Sequence, residues 1–229
     1  MASINSAWSN KIAILVGDYL LGKGLLTAID RNEFDFLRAT SNAVRRMSEG
    51  ELLQIQKSKD FKNNEDTYFS IIADKTASLM AACCEIGAIS ATDDKKTQIA
   101  MQQFGEYIGI AFQLRDDIFD LQPKNALLGK PVGNDLKEKK MTLPLLHAIK
   151  QVKRSEGKEI MKIIKDGDMT KKNIELIVQF ITQNNGIAHT QMKANEYIGL
   201  SLNILSDFPD SPAKTSLSNL AKYVLDRNL

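Results

Sequence analysis

At 229 residues with 43% hydrophobic content, the chain is long enough for one large domain or two small ones and can build a core. Its 30 basic against 28 acidic residues leave a formal charge of +2, too balanced for nucleic acid to be the main partner. The two cysteines, Cys83 and Cys84, are adjacent and cannot form a disulfide framework, which favours a reducing compartment. No segment reads as an uninterrupted membrane span or as a basic region leading into an apolar core, so a cytoplasmic protein is expected.

Helical periodicity runs through nearly the whole sequence, and no alternating segment makes a convincing strand. The first apolar helix spans Lys11 to Ile29, where Gly17, Gly22 and Gly24 suggest close packing. A second spans Phe34 to Gln56, with Leu37, Val44, Met47 and Ile55 on its buried side and Glu51 close to that face. Asp66 to Ile89 form a long buried helix. Thr92 or Asp93 caps the next, which runs to Leu121 and carries Gln113, Asp116, Asp117 and Asp120. Glycines and prolines make 123–140 a long loop, of the kind that often closes over a site. Shorter helices follow over 143–152, 158–165 and 170–183, the last with Ile174, Ile177, Val178 and Ile181 on one face and Asn184-Asn-Gly186 at its end. Two more cover 187–206 and 213–227, separated by Pro209 and Pro212. With no repeat or linker, residues 1–229 read as a single all-helical domain.

The chemistry concentrates in Gln113-Leu-Arg-Asp-Asp-Ile-Phe-Asp120 and the nearby Gly129-Lys-Pro-Val-Gly-Asn-Asp135. Three and four residue spacings place Gln113, Asp116, Asp117 and Asp120 broadly on one face of a helix. Apolar neighbours Ile108, Phe112, Ile118 and Phe119 imply burial, and grouped carboxylates there need cations between them. Hard oxygen donors favour Mg²⁺, bound together with substrate phosphates. The alternative is an acidic helix end exposed to water. Lys75 and Thr76 interrupt an apolar run, and a buried lysine there requires an anionic partner. Alternatively, Asp74 pairs with a surface residue and Lys75 extends outward along its stem. Lys130 and Lys140 flank the loop and can close over a diphosphate, whereas Lys137 and Lys139 read as solvated. Gly129-Lys-Pro lacks the order and context of a nucleotide-binding loop. His147 and His189 are far apart in sequence without metal-ligand spacing, no serine lies in an esterase elbow, and both cysteines read as packing residues.

Taken together, these motifs resemble the trans-isoprenyl diphosphate synthases, or polyprenyl synthetases. Phe112 to Asp120 is similar to that family's second aspartate-rich motif, and Gly129 to Pro144 to the segment that follows it. Gly17-Asp-Tyr-Leu-Leu21, Glu49-Gly-Glu51 with Gln54, Lys75-Thr-Ala77 and Pro209 to Lys214 also match family signatures, so the resemblance covers essentially the whole chain. Within the family, Ser3 to Gln54 is closest in wording to the octaprenyl and other long-chain members. The resemblance implies an isoprenoid synthase type of helical bundle around a central cavity. It also implies Mg²⁺-dependent ionisation of an allylic prenyl diphosphate and attack on the resulting cation by isopentenyl diphosphate. Asp116, Asp117 and Asp120 would hold the metal. Lys75, Thr76, Gln113, Lys130 and Lys140 would contact the allylic diphosphate, with Lys75, Lys130 and Asp116 taking the catalytic roles. A homodimer and a peripheral membrane contact through the lipid product are further implications.

The sequence departs from the family in one respect. The first aspartate-rich motif and its paired arginines, which precede the stretch resembling Ser3 to Trp8, are not among these residues. The expectation is therefore an N-terminally truncated synthase, inactive alone. Its alternative is a non-catalytic regulatory or scaffold subunit that pairs with a catalytic homologue. A terpene cyclase shares the metal logic but fits the wording of 130–144 less well.

Overall fold

A computed structural model describes residues 4–61, 63–122 and 132–227. Every regular element among them is helical, as the all-helical reading expects. The chain forms two compact units, Met1–Asn42 and Ala43–Leu229.

The first unit contains the single turn α1 (Ile4–Ala7), α2 (Asn10–Asp30) and the start of α3 (Phe34–Asp60). Ser9 caps α2 by accepting a hydrogen bond from the Ile12 N–H at 3.3 Å. No residue of α2 is buried, and a methyl group added at Gly17, Gly22 or Gly24 would meet nothing within 4 Å. The expected close packing at these glycines is therefore not found. Asp18 and Lys23 are the only charged residues from Ile12 to Ile29. By length and composition α2 can cross a membrane, contrary to the expectation that no segment approaches that limit.

The second unit is organised around α6 (Lys95–Asp120), which packs against α5 (Ser78–Ile89) and α11 (Gly186–Ser206) along much of its length. Phe104, Ile108 and Ala111 of α6 meet Ile198 and Leu205 of α11 and Ala221 and Val224 of α12 (Pro212–Asp226) in one core cluster. Leu114, further along α6, joins a larger cluster with residues of α8 (Leu143–Gln151), α9 (Arg154–Asp166) and α10 (Lys171–Gln183). Ile174, Ile177 and Ile181 are buried on the α10 face expected from their spacing.

Three local differences from the sequence expectation have physical causes. The helix anticipated over 66–89 is broken into α4 (Glu65–Ile72), a π-helical segment (Ala73–Ala77) and α5. Such a widened turn leaves the hydrophobic pattern nearly unchanged and often marks a functional site. At the start of α6 the cap is Asp94, whose carboxylate accepts from the Lys96 and Thr97 N–H groups, while Thr92 Oγ1 accepts the Asp94 N–H. In α3, Val44 and Ile55 are exposed, and among the described residues the buried positions are the small residues Ala39, Ala43 and Gly50. Small residues make that stripe because the neighbouring backbone comes very close. A methyl group at Gly50 would lie 2.6 Å from the Lys75 nitrogen, and one at Gly109 of α6 would lie 2.5 Å from Ala77 Cα. The π segment is therefore clamped between two glycines on different helices.

Candidate active site

The clamped π segment, the C-terminal part of α6, Asp135 of α7 (Asn134–Lys137) and the residues after α7 together line one cleft. Lys75, Thr76, Gln113, Asp117, Asp135 and Lys140 all face it, with Ile71 and Ile72 supplying apolar wall. Lys75 does not extend outward. Its ammonium bonds Gln54 Oε1 at 2.7 Å and pairs with Glu51 at 2.6 Å, both on α3. The alternative partner proposed for Asp74 is nevertheless real: Asp74 binds Arg46 at 2.7 Å, and Arg46 reaches Glu106 of α6 at the same distance. This bridge ties α3, the π segment and α6 together beside Lys75. Thr76 Oγ1 donates to Gln113 Oε1 at 3.2 Å, and Gln113 Nε2 donates to Asp117 at 2.9 Å.

The three aspartates of α6 have different surroundings. Asp117 is 2% exposed and accepts from the Tyr68 hydroxyl at 2.6 Å, which excludes a solvated acidic helix end. Burial pushes its carboxyl up to about 7, aided by the charges of Asp135 and Asp116 and opposed by the bonds from Tyr68 and Gln113. Asp120 accepts the N–H groups of Asn134 at 3.0 Å and Asp135 at 3.1 Å, so it pins the return of the loop to the end of α6. Burial, with repulsion from Asp135, raises it to about 6 despite those bonds. Asp116 is bound by the guanidinium of Arg227, just past α12. Lys140 pairs with Asp135 at 3.0 Å and Glu138 at 2.7 Å. Burial opposes its charge, but bonds to Glu138 and Asp135 outweigh that and hold it firmly cationic. Lys130 lies outside the described residues.

Among the described residues no three His, Cys, Asp or Glu side chains converge as a metal cage. The donor set still fits a hard divalent cation. Asp116 and Asp135 are oxygen donors close enough to Asp117 to disfavour its ionisation, and a cation held by one or two of these carboxylates plus phosphate oxygens would relieve that repulsion.

Sequence reasoning missed Tyr68, Arg46, Asp135 and Arg227 as site residues. Tyr68 reads as ordinary core, and its contact with Asp117 spans 49 residues. Asp135 carries a signal in retrospect, since it lies five residues before Lys140 in the same motif. Elsewhere, His147 and His189, distant in sequence, stack with ring centroids 3.8 Å apart, and His189 contacts Glu65 at 3.4 Å. Cys83 is exposed, so it is not the packing residue expected, whereas burial raises the Cys84 thiol to about 11.

The sequence model for polyprenyl synthetase matches residues 1–181. The chain is 33% identical over 222 residues to heptaprenyl diphosphate synthase component 2 of Bacillus subtilis, covering 97% of this chain and 63% of that protein. It is 31% identical to octaprenyl diphosphate synthase of Escherichia coli, covering 99% of this chain and 70% of that enzyme. Among solved structures, a polyprenyl synthase from Caulobacter crescentus, complexed with calcium and isoprenyl diphosphate, superposes with a TM-score of 0.88 at 31% identity. That match covers 97% of this chain and 68% of the other. The chain thus spans between 63% and 70% of the length of these relatives. With the family match running across both units and the acidic helix facing a lysine-lined cleft, the chain belongs to the polyprenyl synthetase family.

Proposed function

We propose that this chain carries the allylic diphosphate site of a trans-prenyltransferase, which condenses isopentenyl diphosphate with an allylic prenyl diphosphate to give a polyprenyl diphosphate. The observation that carries this reading is the convergence of Lys75, Thr76, Gln113, Asp117 and Lys140 on one cleft from three separate parts of the chain. The ammonium groups of Lys75 and Lys140 would bind the diphosphate oxygens and stabilise the charge that grows on them as the allylic carbon–oxygen bond breaks. Each is already poised by carboxylates that an incoming phosphate would replace. Thr76 and Gln113 would orient the same group, and Ile71 and Ile72 would keep water from the allylic cation. Mg²⁺, held by Asp116 and Asp117 with phosphate oxygens, would supply Lewis-acid neutralisation of the leaving group. The calcium and isoprenyl diphosphate named for the Caulobacter relative support this pairing of a divalent cation with a prenyl diphosphate.

Residues 1–229 are proposed to work as one domain, since the family match crosses the boundary between the two units. The sequence holds one aspartate-rich motif, so we expect these residues alone to turn over little substrate. A second reading, a subunit that works with a catalytic partner, is favoured by the "component 2" in the name of the Bacillus relative. The apolar α2, with no residue buried, supports association with another chain, whether a second copy or a homologue.

Incorporation of labelled isopentenyl diphosphate tests these readings together. The expected result is background turnover by the 229 residues alone and polyprenyl diphosphate once a chain bearing the other aspartate-rich motif is added. Product formation that survives Lys75→Ala and Asp116→Ala in that mixture would refute the proposed site.

A further inference from the structure

Asp116 is the carboxylate on which the proposed cation site depends most, yet it does not line the cleft that Asp117 and Asp135 line. It is turned toward Arg227, 111 residues away in sequence. Four contacts hold that arginine. Its Nη2 bonds the Asp116 carboxylate and also donates to the Phe112 carbonyl at 3.1 Å. The guanidinium lies 3.8 Å from the centroid of the Phe112 ring and 5.4 Å from that of Phe119. The side chain is 11% exposed while that of Asp116 is 38% exposed, so the carboxylate is the more solvent-accessible member of the pair.

Two features argue that this contact is more than a brace for the last helix. Arg227 Nε is buried without a hydrogen-bond partner, so the planar fork is only partly used, unlike a bidentate structural pair. Arg115, one residue before Asp116, brings a second guanidinium to the same ring, 4.5 Å from the Phe119 centroid. A guanidinium and a compact divalent cation cannot both take the same carboxylate without strong mutual repulsion.

We infer that Arg227 is a built-in counter-ion for Asp116, which a divalent cation with diphosphate must displace, so that the end of α12 sets the cation affinity of the site. This rests on the functional reading above. In the cation-free protein the guanidinium neutralises Asp116 and keeps it out of the cleft. When cation and diphosphate arrive, the carboxylate turns inward and Arg227 loses its ionic partner but keeps the Phe112 and Phe119 rings. The cation therefore binds more weakly than it would to an unpaired Asp116.

The test is Mn²⁺ binding to the 229-residue protein in the presence of inorganic pyrophosphate, read by electron paramagnetic resonance. Arg227→Gln should tighten Mn²⁺ binding by roughly tenfold, the effect expected for removing one competing charge near the surface. Arg227→Lys retains a cation but loses the ring contact and should tighten binding by about twofold to threefold. In an Asp116→Asn background, Arg227→Gln should recover no binding, because the carboxylate they compete for is gone. Unchanged or weaker Mn²⁺ binding in Arg227→Gln would overturn the proposal, the latter by making Arg227 a support for the metal site. Arg227→Lys serves as the reporter if Arg227→Gln loses its helical circular dichroism, and unchanged binding in it would equally count against the proposal. Failure of the unaltered protein to bind Mn²⁺ with pyrophosphate would instead defeat the underlying functional reading.

Discussion

Asp117 shows how one residue can be at once the least solvated and the most informative part of the site. Its carboxyl is raised to about 7 by burial, so the folded state holds its proton more tightly than the unfolded chain does. That contribution to stability is fully present below the ordinary carboxylate range and is lost as the pH rises through about 7. In cation-free buffer with chelator, Asp117→Asn should therefore raise the melting temperature at pH 8 and give no advantage at pH 4, the Tyr68 hydroxyl turning to accept from the new amide. Thermal unfolding at the two pH values checks this, and an equal effect at both would show that ionisation of Asp117 is not what costs stability. The identity of Asp117 as a site residue was legible from the motif. Its bond to Tyr68 was not, since no local pattern links residues 49 positions apart. For Asp120 the motif marks a metal ligand, and the structure adds what the motif does not show, the Asn134 and Asp135 N–H groups that it fastens to the end of α6.

At the scale of elements, the π segment is what turns Lys75 and Thr76 into the cleft, and it exists where α3 and α6 close on it from two sides. Gly50 and Gly109 permit that approach, because a methyl at either would strike backbone rather than a yielding side-chain end. Gly109→Ala should cost about 1–3 kcal/mol, as overpacking of a tight core does. Gly50→Ala should also weaken pyrophosphate binding, because it pushes directly on the Lys75 backbone. Chemical denaturation and calorimetric titration on both variants separate the two effects, and a Gly50→Ala protein with unaltered affinity would show that the clamp does not aim Lys75. Helix positions were readable from hydrophobic spacing, which reports burial over several turns. The widened turn was not readable, because one extra residue in a run already rich in apolar side chains shifts the pattern very little. For the same reason the spacing picked Val44 and Ile55 of α3 as buried, although the close approach there requires the small side chains of Ala43 and Gly50.

For the whole molecule, the second unit is a set of helices around α6 that places basic groups opposite a carboxylate helix, and the first unit presents apolar surface. If α2 serves association, Leu20→Glu with Leu21→Glu should lower the apparent mass in light scattering and leave helicity unchanged, since both side chains are exposed. An unchanged mass would remove α2 from that role. The family was legible in the sequence because its motifs are local and ordered. The exposure of α2 was not, because an apolar helix carries the same pattern whether it faces its own core or another chain.

Calorimetric titration of inorganic pyrophosphate into the 229-residue protein, with and without Mg²⁺, tests the central claim most directly. Binding should require Mg²⁺, and Lys75→Ala or Lys140→Ala should weaken it by about tenfold or more, as loss of a charge-assisted bond does. Asp116→Ala should abolish it, while Asp94→Ala, at the cap of α6, should leave it unchanged. Binding that is indifferent to Mg²⁺, or that falls equally in the Asp116 and Asp94 variants, would contradict the assignment of this cleft as a metal-dependent diphosphate site.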